Sequence, residues 1–387
     1  MKNIKKTLFF CKYGMVQPKM IPSLMRLARH ENLSEEEILK LNWERRVNLV
    51  NFCWENIQFY RNRFESIGFS PPDLKSESDF EKLPILEKDD IRRYSDSIRN
   101  PLYKDKNLPE HTTGGTTGVP LKVYSDPRNH ISSMSWRMLK WWGVNPYDNC
   151  GYLYRKIPKG FYKFATDILL FPTRRAYIAA SNMDDKHLYS FYRRLLKIMP
   201  RYLVAYVGAL DIFANFLEKN QYRLPSLKAI WTTSSPLPEL KRDYFQRIFE
   251  CSVYTQYGSC EFYWIAAECT HQCGLHIGTD IRHVEIVSNG SRVPKGELGD
   301  ILVTDLINYA FPLLRYRIGD QGRMKLQDCD CDLPFPVMDY VNGRVSDQIH
   351  LPDGAVIPGE YWTTIFDDFT TAIKSFQVFQ YEDFSVE

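Results

Sequence analysis

Residues 202–257 read YLVAYVGALDIFANFLEKNQYRLPSLKAIWTTSSPLPELKRDYFQRIFECSVYTQY, and this stretch determines the fold that we predict. Three apolar runs alternate here with two amphipathic segments, in the order 202–207, 209–218, 227–232, 239–249 and 252–257. Apolar strands that alternate with helices of about ten residues indicate right-handed crossover units and a mainly parallel sheet. Ligands of such sheets bind beyond the carboxyl ends of the strands.

A loop rich in glycine and threonine lies upstream, at 111–122, where the sequence reads HTTGGTTGVPLK. Glycines let backbone N–H groups turn toward one point and leave room for a bulky anion. Threonine hydroxyls add donors, and Lys122 can supply a positive charge. The loop fits neither the P-loop pattern nor the dinucleotide fingerprint. A flexible surface turn is the alternative, but we predict a phosphate-binding loop that faces the crevice after Tyr257.

Three further motifs follow in order: YGSCE at 257–261, RYRIGD at 315–320 and GRVSDQI at 343–349. Glu261, after an apolar strand, is suited to hold a magnesium ion that bridges phosphates. Asp320 can accept hydrogen bonds from both hydroxyls of a ribose. Taken singly, the three motifs have ordinary alternatives, namely a solvated glutamate, a turn-capping aspartate and a surface arginine.

Taken together, the four motifs resemble those of the adenylate-forming superfamily of acyl- and aryl-CoA ligases. The resemblance is greatest to the phenylacetate–coenzyme A ligase branch and its CapK-like relatives of capsular polysaccharide biosynthesis. It includes LPILEKDDI at 83–91, which is similar to the LPxLxKxDL segment of that branch. It implies an α/β fold, with a large N-terminal domain of doubly wound, mainly parallel sheets, a small β-barrel-like part and an incomplete α+β C-terminal subdomain. We expect a helical region at 1–97, an ATP- and acyl-binding domain at 98–342, and a hinge with the start of the C-terminal domain at 343–387.

The resemblance also implies the chemistry: a carboxylic acid is activated by ATP and Mg²⁺ to an acyl-adenylate, and the acyl group then passes to coenzyme A or another acceptor. The implied catalytic residues are Thr116, Lys122 and Glu261. The implied nucleotide-binding residues are Thr112, Thr113, Gly114, Gly115, Thr117, Gly118, Tyr257, Gly258, Ser259, Cys260, Asp320 and Arg344. The alternative is a catalytically weak nucleotide-binding member of a biosynthetic complex.

Some positions depart from the family pattern. Cys260 stands where a threonine usually contacts the α-phosphate, and Ser346 stands at a usually acidic hinge position. The family's C-terminal domain carries a catalytic lysine near its end, whereas Lys374 is the single lysine after Arg344 and lies too early. We therefore expect either a truncated chain or a lost catalytic function of that domain, and slow turnover.

Cysteines and histidines cluster in two segments: Cys269, His271, Cys273 and His276, and then Cys329 and Cys331. Short pairs of such residues from two segments are a recurrent way to build a tetrahedral zinc site. The related branch often shows the same two segments, which implies Cys269, His276, Cys329 and Cys331 as ligands, with Cys273 as a substitute. Four protein ligands leave no open position, so the zinc would be structural. The alternative is a set of reduced, solvated cysteines.

Composition excludes several classes of protein. The net charge of +3 over 387 residues comes without a basic stripe, which argues against nucleic acid as a partner. No stretch approaches ~20 apolar residues, so we expect no membrane span, and Lys12 interrupts the apolar patch at 7–11 before it reaches the length of a signal peptide. We expect a cytoplasmic enzyme without a disulfide framework that acts on a small-molecule carboxylic acid, and we leave a homodimer open.

Overall fold

The computed structural model of the chain describes residues 2–103, 107–112, 121–129, 131–154, 157–233, 235–341, 349–350, 352, 356–357, 378–381 and 383–387. The loop residues Thr113, Gly114, Gly115, Thr116, Thr117 and Gly118, and the hinge residue Arg344, lie outside this part of the chain. Most of the expected C-terminal subdomain at 343–387 lies outside it as well.

Helices dominate the first hundred described residues and then alternate with strands. They are α1 (Lys2–Val16), α2 (Met20–His30), α3 (Glu35–Asn56), α4 (Gln58–Glu65), α5 (Glu77–Glu81), α6 (Lys88–Ile98), α7 (Ile131–Trp141), α8 (Gly160–Leu170), α9 (Asp185–Ile198), α10 (Val207–Lys219) and α11 (Glu239–Phe249). None of these helices combines the length and the hydropathy that crossing a bilayer requires.

The strands are short. They are β1 (Glu110–Thr112), β2 (Lys122–Tyr124), β3 (Cys150–Tyr154), β4 (Arg175–Ala179), β5 (Tyr202–Tyr206), β6 (Ala229–Thr233), β7 (Ser252–Tyr257), β8 (Ala266–Ala267), β9 (Leu275–Ile277), β10 (Arg282–Ser288), β11 (Ser291–Arg292), β12 (Gly299–Asp305), β13 (Tyr316–Gly322), β14 (Val337–Met338), β15 (Ile349–His350) and β16 (Val356–Ile357).

The largest sheet in the described residues has the strand order β14-β9-β8-β7-β6-β5-β3-β4. Strands β3 to β7 pair in parallel, and β8, β9 and β14 extend the sheet with antiparallel partners. A second sheet, β11-β10-β12-β13, is antiparallel. This arrangement confirms the predicted α/β class and brings the carboxyl ends of β3, β5, β6 and β7 to one edge.

Both faces of the large sheet are covered. Helices α9, α10 and α11 bury the apolar side chains of one face, and Phe213 and Phe245 are fully buried there. On the other face, α1, α2 and α7 enclose an aromatic core in which Trp142 stacks on Tyr254 with ring centroids 5.2 Å apart. Helices α3 to α6 pack instead against the antiparallel sheet.

Two predicted boundaries need comment. The predicted strand and helix at 252–257 and 239–249 are found as β7 and α11, whereas the RYRIGD motif at 315–320 forms a strand that begins only at Tyr316 and continues to Gly322. Arg315 adopts a φ of 45°, which breaks an extended strand, and its buried guanidinium pairs with Glu285. Asp320 therefore lies inside a strand and not at its end.

Candidate functional site

A tight turn follows β7 and carries Glu261. Gly258 opens the turn, and a Cβ atom there would lie 2.1 Å from the carbonyl oxygen of Tyr263, so only glycine fits. The backbone N–H of Tyr263 donates to the carbonyl oxygen of Ser259, and the N–H of Glu261 donates to the Ser259 hydroxyl. The turn thus holds Glu261 just beyond the carboxyl end of a central strand.

Two tyrosines hold the two predicted carboxylates. The Tyr316 hydroxyl donates to Glu261 Oε1 at 3.0 Å, and the Tyr257 hydroxyl donates to Asp320 Oδ2 at 2.7 Å. Since Tyr316 and Asp320 lie on β13, these two bonds tie the end of β7 to one strand of the antiparallel sheet. Burial, together with the neighbouring Glu261 carboxylate, raises the pKa of Tyr316 well above its usual value, so this phenol remains a donor at neutral pH.

The stem of the predicted phosphate loop lies next to this turn. Thr112 on β1 is paired directly with Lys122 on β2, so the two residues that flank the loop lie side by side. His111 donates to or accepts from the Ser125 hydroxyl at 2.6 Å, and its ring contacts the ring of Tyr263 with centroids 5.5 Å apart. Burial lowers the pKa of His111 and favours its neutral form. The stem is therefore anchored against the turn that carries Glu261.

Lys122 itself is an exposed residue at the base of the stem. Its ammonium lies 3.4 Å from a carboxylate oxygen of Glu110 on the paired strand. Cys260 is exposed on the turn, beside Glu261. The described residues that the sequence predicted for the site are thus distributed over the hairpin stem, the end of β7 with its turn, and β13. They are Thr112, Lys122, Tyr257, Gly258, Ser259, Cys260, Glu261 and Asp320.

A cavity of about 30 Å³ separates the hairpin stem from the turn. Glu261, Tyr263, Ser125 and Asp126 are among the residues that line it. This volume is sufficient for roughly two water molecules and insufficient for a nucleotide.

Lys88 is a site neighbour to which the sequence reasoning assigned no role. The segment at 83–88 runs beside β13, because the Leu86 N–H donates to the Arg315 carbonyl oxygen and the Arg317 N–H donates to that of Leu86. The Lys88 ammonium consequently lies against Gly319, where a Cβ atom would be 2.8 Å from Nζ. The signal was present in the LPILEKDDI segment, but its position next to Asp320 depends on long-range pairing.

The four predicted zinc ligands come together at the far end of the same sheet. Their ligand atoms all lie within 4.8 Å of one another. Cys269 Sγ is 3.6 Å from Cys329 Sγ, and Cys331 Sγ is 3.3 Å from His276 Nε2. Pairing of β9 with β14 brings His276 opposite Val337 and so toward the segment that carries Cys329 and Cys331.

Local contacts prepare the histidine of this cluster for a ligand role. His276 Nδ1 is 2.9 Å from the carbonyl oxygen of Phe335, and this contact requires a proton on Nδ1 and leaves Nε2 as an acceptor toward the cysteines. Burial lowers the pKa of His276 and keeps the ring neutral. Burial also raises the pKa of the Cys331 thiol to about 11, so a nearby cation would be needed to favour the thiolate.

A disulfide bond joins Cys273 to Cys329, whose Cα atoms are 6.0 Å apart. We expected no disulfide framework, so this bond differs from that expectation. Two loops that are far apart in sequence meet here, and they bring five sulfur and nitrogen ligand candidates into one small volume. Cys329 can serve either in the disulfide or as a zinc ligand, because a sulfur in a disulfide is not a thiolate.

Comparison with known proteins agrees with this architecture. No protein-family model matches the chain. It is similar to Protein CapK from Staphylococcus aureus, with 24% identity over 301 residues, or 75% of this chain and 64% of that protein. It is also similar to a phenylacetate-coenzyme A ligase from Escherichia coli K12, with 25% identity over 354 residues, or 85% of this chain and 76% of the ligase. The chain thus spans about two thirds to three quarters of these relatives.

Solved structures with the same fold include 2-hydroxyisobutyryl-CoA ligase. An open conformation of that enzyme, in complex with 2-HIB-AMP and CoA, has a TM-score of 0.71 at 19% identity and covers 86% of this chain and 80% of the ligase. The structure of its postadenylation state in complex with R3-HIB-AMP has a TM-score of 0.74 at 18% identity. This match covers 92% of our chain and 78% of the ligase. The chain is therefore a homologue of Protein CapK and the phenylacetate-coenzyme A ligases, and it has the fold of the adenylate-forming superfamily.

Proposed function

We propose that this chain activates a carboxylic acid with ATP and passes the acyl group to a thiol, typically that of coenzyme A. The observation that carries the proposal is the pair of tyrosine-held carboxylates, Glu261 and Asp320, beside the stem of a glycine- and threonine-rich loop. In the reaction, a carboxylate oxygen of the acid bonds to the α-phosphorus of ATP, and the bond to pyrophosphate breaks. The thiol sulfur then bonds to the acyl carbon, and AMP leaves.

Each residue has a defined part in this proposal. Glu261 would hold Mg²⁺, which neutralises charge on the phosphate oxygens. Asp320 would accept hydrogen bonds from the ribose hydroxyls, and Tyr257 would fix the orientation of Asp320 through its hydroxyl. Loop residues 112–118 would donate to the phosphates. Thr116 of this loop and Lys122 after it would be catalytic groups. Lys88, beside Gly319, adds a positive charge on the same side of the site.

The edge of the sheet suggests where the acid binds. The strand order changes direction between β3 and β5, and ligands of open parallel sheets bind at such switch points. Tyr154 and Tyr206 end these two strands, and their ring centroids are 4.8 Å apart. An aromatic wall at this point favours an aryl or extended apolar acid. Trp142, in contrast, is buried in the core and donates to the carbonyl oxygen of Glu268.

The similarity to Protein CapK supports a place in the assembly of cell-surface polysaccharide, with a sugar amine or a carrier thiol as alternative acceptors. We place the protein in the cytoplasm, where ATP and coenzyme A are available. The comparisons lend no support to the alternative of a catalytically weak nucleotide-binding member of a biosynthetic complex.

The test is carboxylate-dependent exchange of labelled pyrophosphate into ATP, with Mg²⁺ and a panel of aryl and aliphatic acids. Exchange with one class of acid would establish adenylation and identify the substrate class. Absence of exchange with every acid, while ATP binding remains measurable, would overturn the proposal.

We also propose that Cys269, His276, Cys329 and Cys331 hold a structural zinc ion in the reduced protein. In a tetrahedral site with Zn–S near ~2.3 Å, ligand atoms are about 3.3–3.8 Å apart. The observed separations of 3.6 Å and 3.3 Å fit this geometry. The hydrogen bond between His276 and Phe335 already presents the correct ring nitrogen.

Metal analysis of protein purified under reducing conditions tests the zinc proposal. We expect about one zinc per chain in the wild-type protein and in Cys273→Ser, which removes the disulfide but keeps the four ligands. Cys331→Ser should contain little zinc. Equal metal content in Cys331→Ser and wild type would contradict the proposed ligand set, and loss of zinc in Cys273→Ser would make Cys273 a ligand.

A further inference from the structure

Helix α1 exposes a line of apolar side chains. Ile4, Leu8, Cys11 and Met15 recur at spacings of four and three residues, so they follow one face of the helix. Met15 is 79% and Ile4 is 66% exposed. The opposite face is the one that packs into the protein, where Phe9 is fully buried against Trp136. The exposed line is therefore not used in the core.

Helix α8 adds a second line of the same kind. Phe161, Phe164, Ile168 and Phe171 are spaced by three and four residues, and Phe161 is 83% exposed. Lys12 of α1 donates to the carbonyl oxygens of Ile168 and Phe171, at 3.2 Å and 3.0 Å, so the two helices are fastened side by side. We define the α1–α8 face as Ile4, Leu8, Met15, Phe161, Phe164, Ile168 and Phe171. Soluble monomers rarely expose contiguous apolar patches of this kind without a use for them.

The two segments that form this face are rich in basic residues. Residues 1–19 contain five lysines and no acidic residue. Residues 159–175 contain two lysines and two arginines against one acid, Asp167, which is already paired with Lys163. Since the whole chain carries only +3, the remainder of the protein is net negative. The positive charge is thus concentrated in the two segments that carry the exposed apolar side chains, although Arg175 packs over the ring of Tyr152 and Lys5 donates to Asn149.

We propose that the α1–α8 face docks on an anionic membrane surface. Amphipathic helices with aromatic and aliphatic residues on one side and lysines around them lie in the plane of the lipid headgroups. Apolar side chains enter the boundary with the acyl chains, while lysines contact lipid phosphates. Such docking requires no membrane span, which agrees with the helices described above.

Charge complementarity favours a lipid surface over the other possible occupants. A second copy of this chain would bring the same basic residues against each other, and like charges across an interface oppose association. An anionic bilayer instead attracts each lysine or arginine near its surface. Binding should therefore depend on both the apolar side chains and the ionic strength.

The test is co-sedimentation of the whole chain with vesicles of phosphatidylcholine alone or of phosphatidylcholine mixed with phosphatidylglycerol. The variant Phe161→Ser with Phe164→Ser removes two exposed rings. Its matched control is Leu240→Ser with Leu326→Ser, because these two residues are 84% and 75% exposed and lie elsewhere. For charge, Lys6→Gln with Lys159→Gln is compared with Lys186→Gln with Lys197→Gln on α9. All four positions are exposed lysines, so folding should not change.

We expect binding to the anionic vesicles that weakens at high salt, and weaker binding to neutral vesicles. Because burial of each phenylalanine contributes about tenfold in affinity, the double serine variant should lose about a hundredfold, whereas its control should bind like wild type. The Lys6 and Lys159 variant should bind more weakly than the α9 control. Equal binding to neutral vesicles, or unchanged binding of the serine variant, would overturn the proposal. A wild-type dimer that the serine variant converts to monomer would overturn it as well, in favour of a self-interface.

Discussion

The turn after β7 and the cysteine cluster are built from neighbouring stretches of the same chain, yet they are held together differently. At the turn, Glu261 accepts from the Tyr316 hydroxyl, Tyr257 donates to Asp320 on β13, and Gly258 permits a close backbone approach. In the cluster, His276 donates to the Phe335 carbonyl and the His271 N–H donates to Cys269 Sγ, while the sulfur and nitrogen atoms of the two loops face one another. The turn is positioned by its own hydrogen bonds, whereas the cluster requires a cross-link to hold two loops together.

This difference indicates what each region contributes. A carboxylate held by a buried phenol is ready to receive a cation without rearrangement, which suits a catalytic site. Thiols that two separate loops bring together gain most of their stability from a metal ion or a disulfide bond that joins the loops. The turn is therefore expected to govern rate, and the cluster is expected to govern the stability of the loops at 269–276 and 329–331.

The largest effect should follow removal of a cluster ligand. A structural zinc ion contributes on the order of 10 kcal/mol of binding free energy. We therefore expect Cys331→Ser, or a strong chelator, to lower the melting temperature markedly and to expose the loops at 269–276 and 329–331 to hydrogen exchange. Calorimetry and hydrogen exchange of the reduced protein measure both effects.

The matched control for this experiment is Cys11→Ser, which changes an exposed cysteine far from the cluster. It should melt like wild type. If the chelator leaves the melting temperature and the exchange of both loops unchanged, the cluster does not need a metal cross-link, and the contrast with the turn is lost.

The next largest effect should come from Glu261→Gln, which removes the charge that would hold Mg²⁺ but keeps the acceptor for Tyr316. Loss of one preorganised electrostatic group at a reacting centre costs about 100- to 1000-fold in rate, or roughly 3–4 kcal/mol. We expect this loss in pyrophosphate exchange, with an unchanged melting temperature. Glu297→Gln, at an exposed glutamate, is the control. A loss of stability comparable to that of Cys331→Ser would give the turn a structural role and break the comparison.

Local features of the fold could be predicted from the sequence. The helix α11 and the strand β7 were predicted, because an amphipathic spacing and an apolar run determine them locally. Helix α1 falls within the helical region expected at 1–97, but its bounds and its packing partners were not predicted. Its weakly patterned sequence is held by aromatic packing of Phe9 and Tyr13 on Trp136, which depends on residues far along the chain. The domain divisions at 97/98 and 342/343 stay a prediction.

Contacts between residues that are far apart in sequence also limited how much of the candidate site could be predicted. Glu261 and Asp320 were identified from their motifs, but the donor to Glu261 is Tyr316, which is 55 residues away, and the RYRIGD motif that contains it gave no sign of this contact. Lys88 reaches the site through pairing of its segment with β13. The disulfide between Cys273 and Cys329 was missed for the same reason, since spacing cannot determine which of several clustered cysteines are joined.

A smaller effect is expected from Tyr257→Phe, which removes the hydroxyl that donates to Asp320. A hydrogen bond to a charged group contributes about 1–2 kcal/mol, and Asp320 would still be able to contact the ribose. We expect KM for ATP to rise about tenfold while kcat changes little. This is the result expected when a lost contact stabilises the bound substrate and the transition state equally. Steady-state kinetics measure this split, with Tyr189→Phe on α9 as the control. A fall in kcat with unchanged KM would instead mean that Tyr257 stabilises the transition state, as we propose for Glu261.

The smallest effect should come from Lys122→Gln, at the stem of the phosphate loop. Its ammonium is 59% exposed and already lies 3.4 Å from Glu110, so water and that carboxylate screen its charge from a bound phosphate. Lys140 is the matched control for Lys122, since its side chain is 64% exposed and its ammonium lies 3.4 Å from Glu31. We expect Lys122→Gln to lower kcat/KM for ATP about threefold to tenfold at low salt and less at high salt, and Lys140→Gln to have no effect. A salt-independent loss of about a hundredfold would mean that Lys122 leaves Glu110 and contacts the reacting phosphate directly. The site would then be completed only when ATP binds, and it would resemble the cysteine cluster, which also requires its ligand, more than the preformed turn.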